Sequence, residues 1–263
     1  MARRAVEALL EVAAEPASSS AELLERLLAA GRELVDARPA MGAIAHAVGR
    51  LVASVHTASH LRPDELQRLV SEEGSALVEA RNRAAHSIAV QLAPLLRDAL
   101  VLTHSASATV REAVIHTPPA RLSCTVSAPF EEGRAFAEDL RAQGIDAGVV
   151  EDTGVFPRLA GVSLVLVGAD TVYEDGSIEN KIGTRPLAEA AHQVGVRFVV
   201  ACEVLKLAPV RPVGADEPEL RDITPPELVD EIVTEEGPVA PEEVRLVMDR
   251  TPFLRDGYRL LRD

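Results

Sequence analysis

Aromatic side chains are nearly missing from this chain. Among 263 residues there is no tryptophan, and there are only two tyrosines and five phenylalanines. Yet 47% of the residues are hydrophobic. The core must therefore be built from Ala, Val, Leu and Ile, which suits helices packed on a parallel sheet. Cysteine is scarce as well. Cys124 and Cys202 stand far apart without metal-type spacing. That excludes a disulfide framework, implies no metal site, and points to a reducing cytoplasm. No apolar run is long enough to span a bilayer. Met1-Ala2-Arg3-Arg4 leads into a run broken at Glu7 and Glu11, so neither a leader nor membrane association is expected. Positive charge is also in deficit: 27 Lys plus Arg face 41 Asp plus Glu, for a net charge of −14. Such a surface repels nucleic acid phosphate, so direct DNA or RNA binding is disfavoured. No Gly-x-Gly-x-x-Gly follows the first expected strand, and no Gly-Lys-Ser/Thr loop occurs. Dinucleotide and P-loop readings are weak on that ground, and no cofactor is implied.

Lysine is the most telling shortage. Only Lys181 and Lys206 occur, and every other side-chain cation of the Lys/Arg kind is arginine. A lysine that persists under this bias points to a need for a compact ammonium, which arginine's planar fork does not replace.

What is present centres on residues 164–184. Leu164-Val165-Leu166-Val167 is an unbroken apolar run, the mark of a strand buried on both faces. It stops at Gly168, and Asp170 follows at the strand end, where open α/β sheets bind their ligands. Asp175-Gly176 marks a turn. Asn180-Lys181 and Gly183-Thr184 then lead into a helical pattern over 186–194. Free N–H groups at that helix start, with Lys181 beside them, suit an anion.

Before this stretch the chain reads as helices: 2–14, one after the break at Pro16–Ser20 with Ser20 as a possible cap, 41–59, and one from Pro63 towards Leu92, bent or broken near Gly74. From residue 99 the pattern changes to strand–helix alternation. Strands are expected at 99–103, 121–127, 147–150, 164–167 and 197–201, with helices between them. A proline-rich link (Pro209, Pro212, Pro218) follows. Thr224 then looks like the cap of a short helix, and one or two short helices close the chain from Pro241. The expected fold is α/β: a helical N-terminal domain, residues 1–95, followed by a Rossmann-like, mostly parallel doubly wound sheet, residues 96–263.

The strand ends collect at one edge. His104, Ser105 and Ser107 follow the first strand, residues 129–133 the second, Asp152 and Thr153 the third, Asp170 the fourth, and Glu203 to Lys206 the fifth. Cations and backbone donors for phosphate, with Asp and Asn for hydroxyls, suit a small polyhydroxy phosphate. His104 is either a ligand contact or a structural hydrogen-bonder. Ser105 shows no triad spacing, so nucleophilic catalysis is a poor reading. Cys124 lies within an apolar strand and reads as core.

These residues resemble a family. Ala37-Arg38-Pro39, Leu102-Thr103-His104-Ser105, Val167-Gly168-Ala169-Asp170, Asn180-Lys181-Ile182-Gly183-Thr184, Lys206 and Ile223-Thr224-Pro225-Pro226-Glu227-Leu228 are similar to the alpha, beta and delta subunits of translation initiation factor 2B. They also resemble the related isomerases of methylthioribose 1-phosphate and ribose 1,5-bisphosphate, although Thr103-His104-Ser105-Ala106-Ser107 looks more like the initiation-factor subunits. The resemblance implies a helical domain on a Rossmann-like domain and a homodimer or larger assembly. Related protein subunits are possible partners. It implies a phosphorylated sugar or nucleotide ligand held by Arg38, His104, Ser105, Ser107, Asp170, Asn180, Lys181 and Lys206. The isomerases use a cysteine and an aspartate. The aspartate matches Asp170, but the cysteine position is Ser105, a much weaker acid than a thiol. Their Arg-Gly-Ala motif near the N-terminus is absent. Their Glu-Ser/Thr-Arg-Pro is Val126-Ser127-Ala128-Pro129 here, without the acid and the arginine. The expected function is thus a regulatory, ligand-binding protein that acts by assembly. The alternative is an aldose–ketose isomerase of a phosphorylated pentose, with Asp170 and Ser105 as its catalytic pair.

Overall fold

The structure, a computed structural model, describes residues 2–39, 41–211 and 220–262. Pro212 and Pro218 of the expected link lie outside these residues. Four helices come first: α1 (Ala2–Ala14), α2 (Ser20–Asp36), α3 (Gly42–Thr57) and α4 (Pro63–Leu96). The alternating part follows: β1 (Leu100–Thr103), α5 (Ala108–His116), β2 (Arg121–Thr125), α6 (Glu132–Ala142), β3 (Ala147–Val150), α7 (Val155–Leu159) and β4 (Leu164–Gly168). Then come β5 (Thr171–Tyr173), β6 (Ile178–Lys181), α8 (Thr184–Val194), β7 (Arg197–Ala201), β8 (Leu207–Ala208), β9 (Arg221–Thr224), β10 (Glu231–Thr234) and β11 (Gly237–Val239). Helices α9 (Val244–Arg250) and α10 (Leu254–Arg262) close the chain. The expected class, helices first and a mostly parallel α/β part after them, is the one that forms.

Contacts divide the chain into two compact units. One comprises Met1–Asn82, Leu205–Asp216 and Arg245–Asp263, and the other Arg83–Val204 and Glu217–Val244. The expected division at residues 95/96 followed the change of periodicity along the chain. The contact grouping instead cuts within α4 and returns the last helices to the first unit, because α10 packs on α3. A Cβ on Gly257 would fall on the backbone of Gly49, so only glycine allows this helix crossing.

In the first unit the apolar periodicity closes on itself. Val6 and Leu9 of α1, Leu23 and Leu27 of α2, Leu66 and Val70 of α4 and Ile44, Val48, Leu51, Val52 and Val55 of α3 form one core. Fully burying each such side chain is worth about 1.5–3 kcal/mol before chain entropy is counted. Two local expectations change. Ser19, not Ser20, caps α2, accepting the Glu22 N–H at 3.1 Å, while Ser20 donates to the Leu61 carbonyl. Helix α4 runs unbroken through Gly74, where a Cβ would reach the Leu10 side chain. That glycine serves close helix packing, not a bend.

In the second unit seven strands form one sheet in the order β11-β10-β7-β4-β1-β2-β3. All pairs are parallel except β10–β11. The buried strand residues alternate: Val101, Leu122, Cys124, Leu164, Leu166 and Val199 join the core formed with α4, α5 and α6. Burial pushes the Cys124 thiol up to about 12, as befits a core residue. Parallel pairing brings the carboxyl ends of β1, β2, β3, β4 and β7 to one edge.

The stretch after β4 differs from its expectation. Residues 171–181 are a β-hairpin, β5 antiparallel to β6, turning at Gly176 with φ +81°. Strand β6 also pairs antiparallel with β9. Asn180 and Lys181 are thus strand residues. Thr224 ends β9 and does not cap a helix; the 3-10 turn Pro226–Leu228 is preceded by Pro225.

Candidate functional site

The site begins at the turn after β1. Ser105 has φ +62°, a left-handed conformation that a side chain occupies at a cost. A hydrogen-bond chain holds it there. The Ser105 N–H donates to Ser127 Oγ at 2.7 Å, Ser127 Oγ lies 2.8 Å from Thr125 Oγ1, and Thr125 Oγ1 lies 2.6 Å from His104 Nδ1. His104 Nε2 is 2.8 Å from the Ile182 carbonyl. A carbonyl only accepts, so Nε2 carries the proton and Nδ1 accepts from Thr125. Burial lowers the His104 pKa, against the pull of the Ile182 hydrogen bond, which favours this neutral form. Both ring nitrogens are engaged within the protein. Ser107 is likewise engaged as the cap of α5, accepting the Val110 N–H at 3.3 Å.

The turn after β2 brings in a residue that no spacing marked. Ser127 and Glu131 both have positive φ, and a Cβ on Gly133 would overlap the Thr125 carbonyl oxygen. Only glycine lets the start of α6 close so tightly on β2. The closure turns Glu132 towards Ser105, whose Oγ donates to Glu132 Oε1 at 2.8 Å. The same oxygen lies 3.2 Å from Lys181 Nζ, and the ammonium sits 4.3 Å from the centre of the Phe130 ring. The Lys181 side chain is 11% exposed and that of Glu132 27%. At this separation and an effective dielectric of about 20, the gross attraction is roughly 5 kcal/mol. Glu132 Oε2 is buried without a hydrogen-bond partner.

Across the β6–β9 ladder Lys181 stands opposite Arg221. Two cations side by side would repel, and each has its own carboxylate. Arg221 Nε donates to Asp170 Oδ2 at 3.2 Å. The result is a continuous row: Asp170, Arg221, Lys181, Glu132, Ser105. Its formal charge sums to zero.

The helix start expected to receive an anion is already filled. Asp222 accepts the Gly183 N–H at 2.7 Å and the Arg185 N–H at 3.1 Å. Burial raises the Asp222 pKa, and these N–H bonds oppose the rise. The N–H groups at the start of α8 therefore serve an internal carboxylate, contrary to the sequence expectation. Asn180 is buried and donates through Nδ2 to Thr184 Oγ1 at 3.1 Å.

Of the expected site residues, Ser105, Asp170 and Lys181 come together in the row. His104 and Ser107 bond backbone groups, and Asn180 bonds the Thr184 hydroxyl. Arg38, exposed after α2, and half-buried Lys206 fall in the first compact unit. Glu132 was flagged only as part of a stretch, and Arg221 was missed. Glu132 lay within the flagged stretch 129–133, and Gly133 after it was its only signal. Arg221 had none, because β9 was not foreseen. A separate, mostly apolar cavity of about 510 Å³ opens behind His104, between Asp152 and the α8 residues Leu187 and Ala190. None of the five row residues lines it.

A helical N-terminal part, a mostly parallel sheet and a polar row at its strand ends define the class. The chain belongs to the initiation factor 2 subunit family, whose signature matches residues 1–222. A ribose 1,5-bisphosphate isomerase of Haloferax volcanii is 29% identical, over 94% of this chain and 85% of that protein. An eIF-2B subunit 2-like protein of Pyrococcus horikoshii is 32% identical, over 92% and 90%. In three dimensions, the translation initiation factor eIF-2B of P. horikoshii matches with a TM-score of 0.77 at 26% identity, covering 91% of this chain and 90% of that one. No described helix is long and apolar enough to cross a membrane.

Proposed function

We propose that this protein binds a phosphorylated sugar or nucleotide at the Asp170–Ser105 row and acts through assembly, with itself or with related subunits, rather than by turnover. The observation that carries this is the state of Ser105. Its hydroxyl donates to Glu132, whose charge is met by Lys181. A hydroxyl so held is a poor proton carrier where a thiol, with a pKa near about 8.5, would serve. The ligand class draws on the polyol-type donors and acceptors of the row and on the sugar-phosphate name of the H. volcanii relative. The assembly part draws on the subunit name of the P. horikoshii relative.

One observation favours a second reading, aldose–ketose isomerisation. Glu132 supplies a carboxylate beside Ser105, an acid that the motif comparison found missing. The test is a thermal-shift panel of sugar and nucleotide phosphates, since a ligand of the folded state raises Tm. It runs beside NMR of ribose 1,5-bisphosphate and methylthioribose 1-phosphate. The expected outcome is a Tm rise without conversion. Conversion that Asp170→Asn abolishes establishes the isomerase reading instead.

A further inference from the structure

Resting on the ligand class just proposed, we infer that Glu132 is the specificity-determining residue of this site: it withholds Lys181 from phosphate. Three observations carry this. Lys181, largely buried, has its ammonium against Glu132 Oε1 on one side and the Phe130 ring on another. Ser105 donates to the same Oε1, which fixes the carboxylate in place. Glu132 Oε2 is buried and unpartnered, and a buried carboxylate oxygen without a donor is costly. Lys181 is then the carboxylate's main compensation, which ties the two charges together. A phosphate dianion meets the carboxylate as a like charge. The Lys181 end of the row therefore discriminates against phosphate, while an uncharged, hydroxyl-bearing part of a ligand meets no such repulsion there. On the other flank Arg221 spends only its Nε on Asp170 among the described residues. Its guanidinium fork still suits a phosphate.

The test compares wild type, Glu132→Gln and Glu132→Gln/Lys181→Gln by calorimetric titration with inorganic phosphate and with ribose 1,5-bisphosphate. Glutamine keeps the shape and the hydrogen bond from Ser105 but removes the charge. Phosphate affinity is expected to rise at least tenfold in Glu132→Gln, and the double variant should lose that gain. The preference for the sugar bisphosphate over phosphate should fall correspondingly. If Glu132→Gln does not fold, as read by circular dichroism, Glu132→Ala replaces it with the same expectation. Phosphate affinity within twofold of wild type in the charge-free variant overturns the inference, and so does a gain that the double variant keeps. Failure of the underlying ligand reading looks different. In that case wild type binds no sugar phosphate, yet the Lys181-dependent gain for phosphate still appears and the assignment of Glu132 stands.

Discussion

In the first compact unit Leu9, Leu23, Leu27, Val48 and Val52 are buried, where helical spacing puts them. At the loop end of the sheet the residues that decide the chemistry, Glu132, Arg221 and Asp222, carry no such periodic mark. The contrast has a physical origin. Burial of a helix face depends on one segment's own repeat, and any apolar partner satisfies it. A charged row depends on which segments meet. Lys181 faces Arg221 only because β6 pairs with β9, and Glu132 reaches Ser105 only because Gly133 lets α6 close on β2. The helical unit should therefore respond to lost volume and stay indifferent to ligand. The strand-end row should respond to backbone closure and charge.

Four variants test that contrast. Leu23→Ala, in the helical core, should have the largest effect on stability, costing about 3 kcal/mol in urea unfolding. The affinity of the remaining folded protein for ribose 1,5-bisphosphate should be unchanged; a parallel loss of affinity would blur the distinction between the regions. Gly133→Ala should cost about 2 kcal/mol, because the methyl group meets a carbonyl that has nowhere to go. Unlike Leu23→Ala, it should also shift ligand affinity, since it displaces Glu132. Unaltered affinity in a destabilised Gly133→Ala would disconnect the closure from the site. Arg221→Gln should lower sugar-phosphate affinity about tenfold, or about 1.4 kcal/mol, with little change in Tm. Equal titration curves for wild type and Arg221→Gln would remove the guanidinium from the ligand's path.

The smallest effect concerns pH. Burial lowers the His104 pKa below its ordinary value of 6.5. The folded state therefore binds fewer protons than the unfolded state, and stability rises with pH in that range. The stabilisation from neutral His104 is complete above 6.5 and is lost as pH falls from 6.5 towards the lowered value. His104→Gln should flatten this slope in denaturation curves taken between about pH 5 and 7. An identical slope would place the acid sensitivity elsewhere.

Much of the scaffold was legible in the chain. The apolar run at 164–167, the helical spacing of residues 2–36 and the alternation after residue 99 each record a burial pattern within a single segment. So does the placement of Asp170 at a strand end. The hairpin at 171–181 was not legible, because its residues are short and partly polar, and its stability comes from pairing with β9 some forty positions later. The anion-ready helix start was misjudged for the same reason. Gly183-Thr184 announces free N–H groups, but Asp222 arrives from β9 to take them.

The sequence by itself determined the layers, the strand ends and the presence there of Ser105, Asp170 and Lys181, since hydrophobic periodicity and turn chemistry are local properties of the chain. Tertiary structure alone decided which charges meet. Coulomb and hydrogen-bond energies act over a few ångströms between residues that chain order does not bring together. The row's neutrality, the filling of the α8 start by Asp222 and the partnership of Glu132 with Ser105 and Lys181 therefore exist only in the folded molecule.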